Sequence, residues 1–171
     1  MVNDPHWRLP DVPRFTLESA DFVQNGPLPA TARADGGGIS PELHWSGAPD
    51  GTQSFVLTVY DPDAPTGSGF WHWAVRDIPA GTTELPAGAG TDGTLPDGAI
   101  TSANEMRADE YAGAAPPPGH GAHRYFFTLS ALDVATLDVP DGATPAVLGF
   151  VMRDNVIARA TLVGTAETPA A

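Results

Sequence analysis

The sequence predicts a mainly β fold in which two antiparallel sheets pack together, with one to three short helices at the periphery. Glycine (19) and proline (18) make up more than a fifth of the 171 residues and are spread between short apolar segments. This pattern is typical of many short elements joined by turns. Several of these segments favour strands, one favours a helix, and the two kinds do not alternate along the chain. A β-sandwich is therefore indicated, not a parallel α/β sheet.

The predicted strands are rich in Val, Ile, Phe, Tyr and Thr, which fit the pleated, half-buried surface of a sheet. Most are bounded by Gly, Pro, Asn or Asp, the residues that favour turns. The six segments are residues 14–17, 43–45, 54–60, 71–78, 124–132 and 156–163.

Residues 144–154 form the one segment with a clear helical pattern. Thr144 suits the N-cap, where its hydroxyl can accept a backbone N–H, and Pro145 suits the first helical position. The apolar residues of one stripe follow at helical spacing: Val147, Leu148, Val151 and Met152. A second, shorter helical turn is expected before Tyr111.

A chain of this length fits one domain that buries most of its apolar surface. We expect residues 1–171 to form it, with a flexible tail from about residue 166. Cysteine is absent, so no disulfide or thiolate zinc site is available. The first residues lack the basic start and apolar run of a signal peptide, and no stretch reaches membrane-spanning length. The cytoplasm is the expected compartment, and no integral membrane contact is expected.

The formal net charge is −13, from 21 acidic residues against 8 basic residues, all of them arginine. A chain with this charge repels nucleic acid and anionic lipid surfaces, so nucleic acid is not an expected partner. Any anion that binds must therefore be held by a local cluster of hydrogen-bond donors.

Two carboxylates directly follow the predicted strand 54–60. In the segment Asp61-Pro62-Asp63-Ala64-Pro65, each proline favours extended backbone for the residue before it. Asp61 and Asp63 are thus held on a stiff loop where the strand ends. Ordinary turn chemistry explains the same residues without any function, since Asp and Pro are common in turns.

One histidine lies near the start of the predicted strand 71–78. His72 stands between Trp71 and Trp73 and follows the glycine hairpin 67–69. Either it faces a pocket or it is an ordinary core residue, and the pattern alone leaves both interpretations open.

A second histidine precedes the predicted strand 124–132. The two-residue period of that strand, extended to His123, places His123 and Tyr125 on one face and Arg124 on the other. In the preceding loop 116–121, the backbone is stiff at the three prolines and flexible at the two glycines that follow. The loop either presents backbone N–H groups to a ligand or is a rigid connector.

Four motifs occur in order between about residues 39 and 132. They are Ser40-Pro41-Glu42-Leu43-His44-Trp45-Ser46-Gly47, Asp61-Pro62-Asp63-Ala64-Pro65, Trp71-His72-Trp73, and Pro116-Pro117-Pro118-Gly119 with His123-Arg124-Tyr125. In order and spacing they resemble the motifs of the phosphatidylethanolamine-binding protein (PEBP) family, particularly its bacterial, Raf-kinase-inhibitor-like branch. Residues 158–164 also resemble that branch.

The resemblance implies a PEBP-like sandwich with a few peripheral helices and a pocket at one end of the large sheet that takes phosphate-like anions. No cofactor is expected. A metal site is a further possibility because Asp and His are good ligands, but the sequence has no His-x-His or His-x-x-x-His spacing, and His120 and His123 fall on an irregular loop, so no metal is expected. Matched residue by residue, the implied ligand-binding residues are Asp61, Asp63, Phe70, His72, Ala115, His123 and Tyr125.

The function that the resemblance implies is non-enzymatic binding of phosphate-bearing small molecules or phosphorylated groups, with a regulatory role as a kinase or protease inhibitor. It also implies a homodimer, since bacterial relatives often pair. An enzyme is the alternative, because Asp61, His72, His123 and Tyr125 together suit acid–base chemistry. A covalent mechanism lacks both a cysteine and a Gly-x-Ser-x-Gly elbow.

Three departures from the family pattern bear on ligand preference more than on fold. Gly113-Ala114-Ala115 stands where many relatives have Gly-Pro-Cys, so the pocket has no thiol. Asn104-Glu105-Met106-Arg107 stands where bacterial relatives often have Asn-Asp-Phe-Gly, and Ala166 replaces a tyrosine.

Around a bound anion we expect hydrogen-bond donors to outnumber acceptors. The imidazole N–H groups of His72 and His123 and the Tyr125 hydroxyl are the expected donors. We also expect a carboxylate to orient one histidine and to raise its pKa. The rest of a ligand is expected to touch an aromatic rim: Phe70, Trp71 and Tyr111.

Overall fold

The computed structural model describes residues 4–171, which form two antiparallel sheets, one α-helix and two short 3-10 helices. The strands are β1 (Thr16–Glu18), β2 (Leu43–Ser46), β3 (Ser54–Asp61), β4 (Phe70–Pro79), β5 (Glu84–Leu85), β6 (Ile100–Ser102), β7 (His123–Leu132) and β8 (Val156–Ala166). The α-helix is α1 (Pro145–Met152), and the 3-10 helices span Ala30–Ala32 and Ala34–Gly36. The small sheet has the order β1-β2-β5 and the large sheet the order β6-β4-β3-β7-β8.

The central strand of the large sheet, β3, is buried on both faces. Phe55 and Leu57 belong to the main core, which they share with Leu43 of the small sheet. Val56 points to the opposite face, where it packs with Leu148 of α1 in a second cluster. The small sheet and the helix thus cover opposite faces of the large sheet, which explains why β3 is apolar at most positions.

The predicted sandwich with short peripheral helices is confirmed. Each predicted strand overlaps an observed one, although β1 begins two residues later than predicted, whereas β5 and β6 were not predicted because such short strands show no period. The helix α1 begins at Pro145, as expected, and ends before the predicted position 154. Its N-cap is also as expected, because the Thr144 hydroxyl accepts the N–H of Val147 at 3.3 Å.

The helical turn expected before Tyr111 is wrong. The chain instead makes a tight turn in which the N–H of Arg107 donates to the carbonyl of Asn104 at 3.0 Å. The side-chain oxygen of Asn104 accepts the N–H groups of Met106 at 2.8 Å and of Ala108 at 3.2 Å. These local bonds occupy backbone groups that a helix would need.

One end of the large sheet collects the termini of four strands. Asp61, the last residue of β3, pairs with Phe70, the first residue of β4. His123, the first residue of β7, pairs with Ala166, the last residue of β8. Because neighbouring strands run antiparallel, residues far apart in sequence meet at this end.

A β-bulge separates the two tryptophans that flank His72. Val59 pairs with Trp73, whereas Tyr60 pairs with Trp71, and the register shifts between the two pairs. Trp71 therefore stacks on Tyr60 with ring centroids 4.3 Å apart, while Trp73 is fully buried in the main core. Without the shift, strict alternation would place both tryptophans on one face.

The last residues of the chain return toward the loop before β7. The carbonyl of Thr168 accepts the N–H of Gly119 at 2.9 Å, and its hydroxyl accepts Nη2 of Arg33 at 3.0 Å. The single domain over residues 1–171 and the flexible tail from about residue 166 stay predictions. Within the described residues no helix has the length and apolar character that a bilayer crossing requires.

Candidate functional site

Asp61 and His123 form a buried pair at the end of the large sheet. The Oδ2 atom of Asp61 lies 2.7 Å from Nδ1 of His123, and the two residues are 3% and 2% exposed. The other carboxylate oxygen accepts the N–H of Asp63 at 2.8 Å. With both Asp61 oxygens engaged, the Nδ1 atom of His123 is held as a donor toward the carboxylate.

His120 extends this pair to the surface. Its Nδ1 atom lies 2.7 Å from Nε2 of His123, and its ring is solvent-exposed. Asp61, His123 and His120 therefore form one hydrogen-bonded series from the protein interior to solvent. The sequence pointed to His123 as a ligand-binding residue, whereas His120 was considered only as a metal ligand. The sequence signal that could have paired the two histidines is Gly121 between them. Its φ of 88° lets the chain turn so that two histidines three residues apart face each other.

His72 lies beside this series but has a different hydrogen-bond partner. Its Nδ1–H donates to the carbonyl of Ala112 at 2.7 Å, which leaves Nε2 without a protein partner among residues 4–171. Burial lowers the pKa of His72, opposed by the Ala112 carbonyl and by the charge of Asp61. The imidazole is therefore neutral at neutral pH, and its Nε2 atom is an acceptor.

Tyr125 completes the cluster with a buried hydroxyl that makes no hydrogen bond of normal geometry within the described part of the chain, although the backbone N–H of Ala115 lies near enough to affect its pKa. Its ring meets the ring of His72 edge-on, with centroids 5.1 Å apart, and the residue is 1% exposed. Burial and the charge of Asp61 raise the pKa of Tyr125, whereas Arg33 and the backbone of Ala115 act in the opposite direction. The phenol is thus protonated and able to donate.

The carboxylate of Asp63 forms a salt bridge with Arg124. Its Oδ2 atom accepts Nε of Arg124 at 2.8 Å and its backbone N–H at 3.0 Å, while Oδ1 accepts Nη2 at 2.8 Å. The hydrogen bonds with Arg124 hold the pKa of Asp63 below its usual range. The structure brings Asp63 next to the site but uses its carboxylate to fix the loop after β3 to the start of β7.

Of the three residues expected to form an aromatic rim, only Phe70 lies beside the site and is partly exposed. The ring of Phe70 lies 4.7 Å from that of His72, between centroids, and is half-buried. Trp71 lies on the other face of the sheet, because of the bulge. Tyr111 is 3% exposed and its hydroxyl donates to the carbonyl of Ala32 at 2.9 Å. Ala115, by contrast, is exposed near Tyr125.

The protein itself uses the donors that sequence analysis assigned to a ligand. The Nδ1–H of His72 goes to Ala112, and the Nδ1–H of His123 goes to Asp61. Two groups of the site make no hydrogen bond of normal geometry within residues 4–171: the buried Tyr125 hydroxyl, a donor, and the Nε2 atom of His72, an acceptor. The expectation that donors outnumber acceptors is therefore wrong for His72, because burial keeps its ring neutral.

Comparison with protein families identifies the group to which this arrangement belongs. The family model described as phosphatidylethanolamine-binding protein matches residues 18–167, which include every residue of the site. The chain belongs to the PEBP family. The resemblance inferred from four short motifs is thereby confirmed.

Among the relatives of this PEBP chain are two proteins of Escherichia coli strain K12. The UPF0098 protein YbhB is 48% identical over 129 residues, which cover 75% of this chain and 81% of YbhB. The crystal structure of E. coli YbcL, described as a new member of the mammalian PEBP family, has a TM-score of 0.86. It is 41% identical and covers 90% of this chain and 98% of YbcL.

Two more distant PEBP relatives have informative names. A putative lipoprotein, LppC of Mycobacterium tuberculosis strain H37Rv, is 36% identical over 90% of this chain and 72% of LppC. The carboxypeptidase Y inhibitor, solved with its cognate proteinase, is 25% identical with a TM-score of 0.54, over 91% of this chain and 84% of the inhibitor. These names describe those proteins.

Proposed function

We propose that the pocket at the end of the large sheet binds phosphate-bearing small molecules or phosphorylated groups without converting them. The observation that supports this most directly is the buried Tyr125 hydroxyl, which makes no hydrogen bond of normal geometry although the backbone of Ala115 lies nearby. An unsatisfied buried hydroxyl costs about 1–3 kcal/mol. A ligand oxygen that accepts its proton removes that cost.

The adjacent Nε2 atom of His72 determines which anion fits. It is an acceptor, and Asp61 places a negative charge close by. A ligand that offers only acceptors is repelled by both groups. A phosphomonoester monoanion carries one P–O–H group and the monoanion of inorganic phosphate carries two, so in either ligand a P–O–H group can donate to His72 while another oxygen accepts from Tyr125. We therefore propose that the monoanion of a phosphate or phosphomonoester is the bound form.

Affinity for the phosphate alone is expected to be weak. Each charge-assisted hydrogen bond contributes about 1.5–3 kcal/mol, and desolvation opposes it, so free phosphate should bind with a Kd near ~1 mM. Tighter binding needs contacts from the rest of the ligand. Phe70, half-buried beside His72, is the residue placed to supply them.

The regulatory part of the proposal is inhibition of a kinase or protease that presents a phosphorylated or otherwise anionic group to this pocket. Its support is the relative that is named as an inhibitor of carboxypeptidase Y. A homodimer and a cytoplasmic location also stay proposals, and the lipoprotein name of another relative argues against extending the location across the family.

Titration calorimetry with phosphate, phosphoethanolamine and sulfate tests the pocket. Phosphoethanolamine should bind more tightly than phosphate, and sulfate, which has no proton to donate at neutral pH, should bind at least about tenfold more weakly than phosphate. Affinity should fall above about pH 6, where the phosphomonoester dianion forms. Equal, pH-independent binding of sulfate would contradict the monoanion proposal, and absence of binding by all three would contradict the function.

The second candidate is an acid–base enzyme, favoured by the series Asp61–His123–His120. A carboxylate that fixes an imidazole, with a second imidazole at the surface, is suited to moving protons between solvent and a bound substrate. Turnover of a phosphomonoester or acyl ester that disappears in His123→Gln, with the fold retained by circular dichroism, would favour this candidate. Stoichiometric binding without turnover would favour the binding protein.

A further inference from the structure

A cavity lies on the face of the large sheet opposite to the face that carries His123 and Tyr125. Its volume is about 370 Å³, and it is bounded by the sheet, by α1 and by the segment that precedes β1. The sheet contributes Tyr60 and Phe126, α1 contributes Gly149 and Phe150, and the N-terminal segment contributes Leu9. Most of this lining is apolar, which is typical of small-molecule sites of this size.

The cavity continues into a polar cleft of about 280 Å³. His6, Leu9, Pro10 and Arg159 line both spaces, so the two are contiguous. Arg14 lines the cleft as well, together with the acidic residues Asp4 and Asp11. One end of the combined space is therefore apolar, and the other contains two guanidinium groups.

Arg159 is the cation at the junction. It is half-buried, and its Nη1 atom donates a hydrogen bond to the carbonyl of Pro10 at 3.4 Å. In the part of the chain that the structure describes, neither Arg159 nor Arg14 forms a salt bridge. Burial and the nearby charge of Arg14 lower the pKa of Arg159, and the carboxylate of Asp11, which lines the same cleft, acts in the opposite direction.

We propose that this face binds a single-chain amphiphilic carboxylate, a medium-chain fatty acid, with its carboxylate on Arg159 and its chain in the apolar cavity. A guanidinium binds a carboxylate through two parallel hydrogen bonds. A chain with a net charge of −13 is repelled by an anionic membrane, so the ligand is a free molecule and not a lipid surface. This site does not depend on the function proposed for the anion pocket.

Polar groups on the cavity floor do not conflict with this occupant. The hydroxyl of Thr128 is already bonded to Nε2 of His6 at 3.1 Å. Thr58 and Ser130, the other hydroxyl residues of the floor, are themselves largely buried within the sheet. Phe150 is 66% exposed at the mouth, where an apolar chain would cover it.

Gly149 offers a direct way to fill the cavity. A Cβ atom at this position meets no heavy atom within 4 Å, and the backbone is helical. Gly149→Leu therefore inserts a side chain into the space without strain and favours the helix. Val147 belongs to the same helix but does not line the cavity, so Val147→Leu is the matched control.

The test is calorimetry and amide NMR with decanoate, decanol and acetate, each below its aggregation concentration. Decanoate should bind and shift the amides of Phe126 and Thr128 but not that of His72. Arg159→Gln should weaken decanoate about tenfold and leave decanol unchanged, whereas Arg159→Lys should retain part of the preference. Gly149→Leu should abolish the binding of both, and Val147→Leu should not.

Several results would overturn the proposal. They are absence of decanoate binding by the wild-type protein, undiminished binding by Gly149→Leu, or decanoate shifts confined to the anion pocket. Equal loss of decanoate and decanol in Arg159→Gln would overturn the assignment of the carboxylate to Arg159. Light scattering that shows a dimer, dissociated by Gly149→Leu, would show that a second copy of the chain covers this face instead.

Discussion

The Nδ1 atom of His123 lies 2.7 Å from Oδ2 of Asp61, and both side chains are almost fully buried at the end of the large sheet. The pair joins the end of β3 to the start of β7, two neighbouring strands. Removing one partner of a buried pair leaves the other without compensation.

Asp61→Asn should destabilise the fold by about 1–3 kcal/mol, because the amide keeps one acceptor but loses the charge. Asp61→Ala should cost more, because it removes both acceptors from His123 and from the Asp63 N–H. Urea unfolding measures both. Asp50→Asn, in an exposed turn, is the control, and an effect of Asp61→Asn no larger than the control would show that the pair is not stabilising.

Asp63 and Arg124 should make stability depend on pH at the acidic end. Arg124 lowers the pKa of Asp63 in the folded state, below the unfolded value of about 3.9. The stabilisation is therefore present above about pH 4 and is lost as pH falls through the folded pKa. Because the pair is partly exposed, its contribution at neutral pH is about 1 kcal/mol.

Urea unfolding of Asp63→Asn between pH 7 and pH 2 measures this contribution. The variant should be less stable than the wild type at pH 7 and should approach it at the lowest pH. A difference that stays constant over the whole range would show that the carboxylate charge is not responsible.

His72 should also lower the free energy of unfolding as pH falls, but it should do so nearer to neutral pH than Asp63 does. Burial lowers the folded pKa of His72, so below the ordinary value of about 6.5 the unfolded chain binds more protons than the folded one. Stability from the neutral ring is thus fully present above that value and is lost as pH falls toward the folded pKa. His72→Gln should reduce the slope of stability between pH 7 and pH 5.

His6 is a second histidine that should contribute to the slope of stability between pH 7 and pH 5. Burial lowers its pKa as well, so His6→Gln should remove a separate part of the same slope. The exposed His44, whose pKa is raised chiefly by its hydrogen bond with Glu42, acts in the opposite sense and is unchanged in both variants. A His72→Gln slope identical to that of the wild type would contradict the burial of a neutral ring.

The glycine hairpin between β3 and β4 is expected to tolerate substitution at one position only. Gly69 has a φ of 72°, and a Cβ there would lie 2.3 Å from the Tyr60 hydroxyl and 2.7 Å from the Asp61 carbonyl. Gly67→Ala meets no atom within 4 Å. Gly69→Ala should therefore destabilise the fold by about 1–3 kcal/mol and displace Asp61, while Gly67→Ala should have no measurable effect.

Thermal unfolding distinguishes the two glycine variants, and the His123 ring resonances report on the position of Asp61. The hairpin explanation is contradicted if Gly69→Ala is as stable as Gly67→Ala.

Local patterns in the sequence predicted the features that depend on one strand. The two-residue period of β7 correctly placed His123 and Tyr125 on the buried face and Arg124 on the other, because alternation is a property of the strand itself. The N-cap of α1 at Thr144 was also predicted correctly, because capping depends only on residues next to each other in the sequence. The pattern of short strands and turns predicted the sandwich, the family motifs implied the same fold, and the structure confirms it.

Features that depend on partners from distant segments were not predictable in this way. The Tyr111 hydroxyl donates to the Ala32 carbonyl, so Tyr111 does not belong to the rim. No pattern near Tyr111 signals that contact. The Ala112 carbonyl reverses the role of His72 from donor to acceptor in the same way. A bulge shows no deviation in composition, so the separation of the flanking tryptophans was also hidden.

Tyr125 and Tyr111 form a natural comparison, because both are buried and only one hydroxyl makes a hydrogen bond of normal geometry. Tyr111→Phe removes a hydrogen bond to the Ala32 carbonyl and should cost about 1–2 kcal/mol. Tyr125→Phe removes a hydroxyl that makes no hydrogen bond of normal geometry, so stability should be unchanged or slightly higher. The same change should weaken phosphate about tenfold, because the proposed ligand loses its donor.

Urea unfolding and phosphate titration of the two variants separate structure from binding. Tyr111→Phe should lose stability and keep its phosphate affinity, and Tyr125→Phe should show the reverse. A loss of stability in Tyr125→Phe equal to that in Tyr111→Phe would show that its hydroxyl is already satisfied within the protein, and the main support for the anion pocket would then be gone.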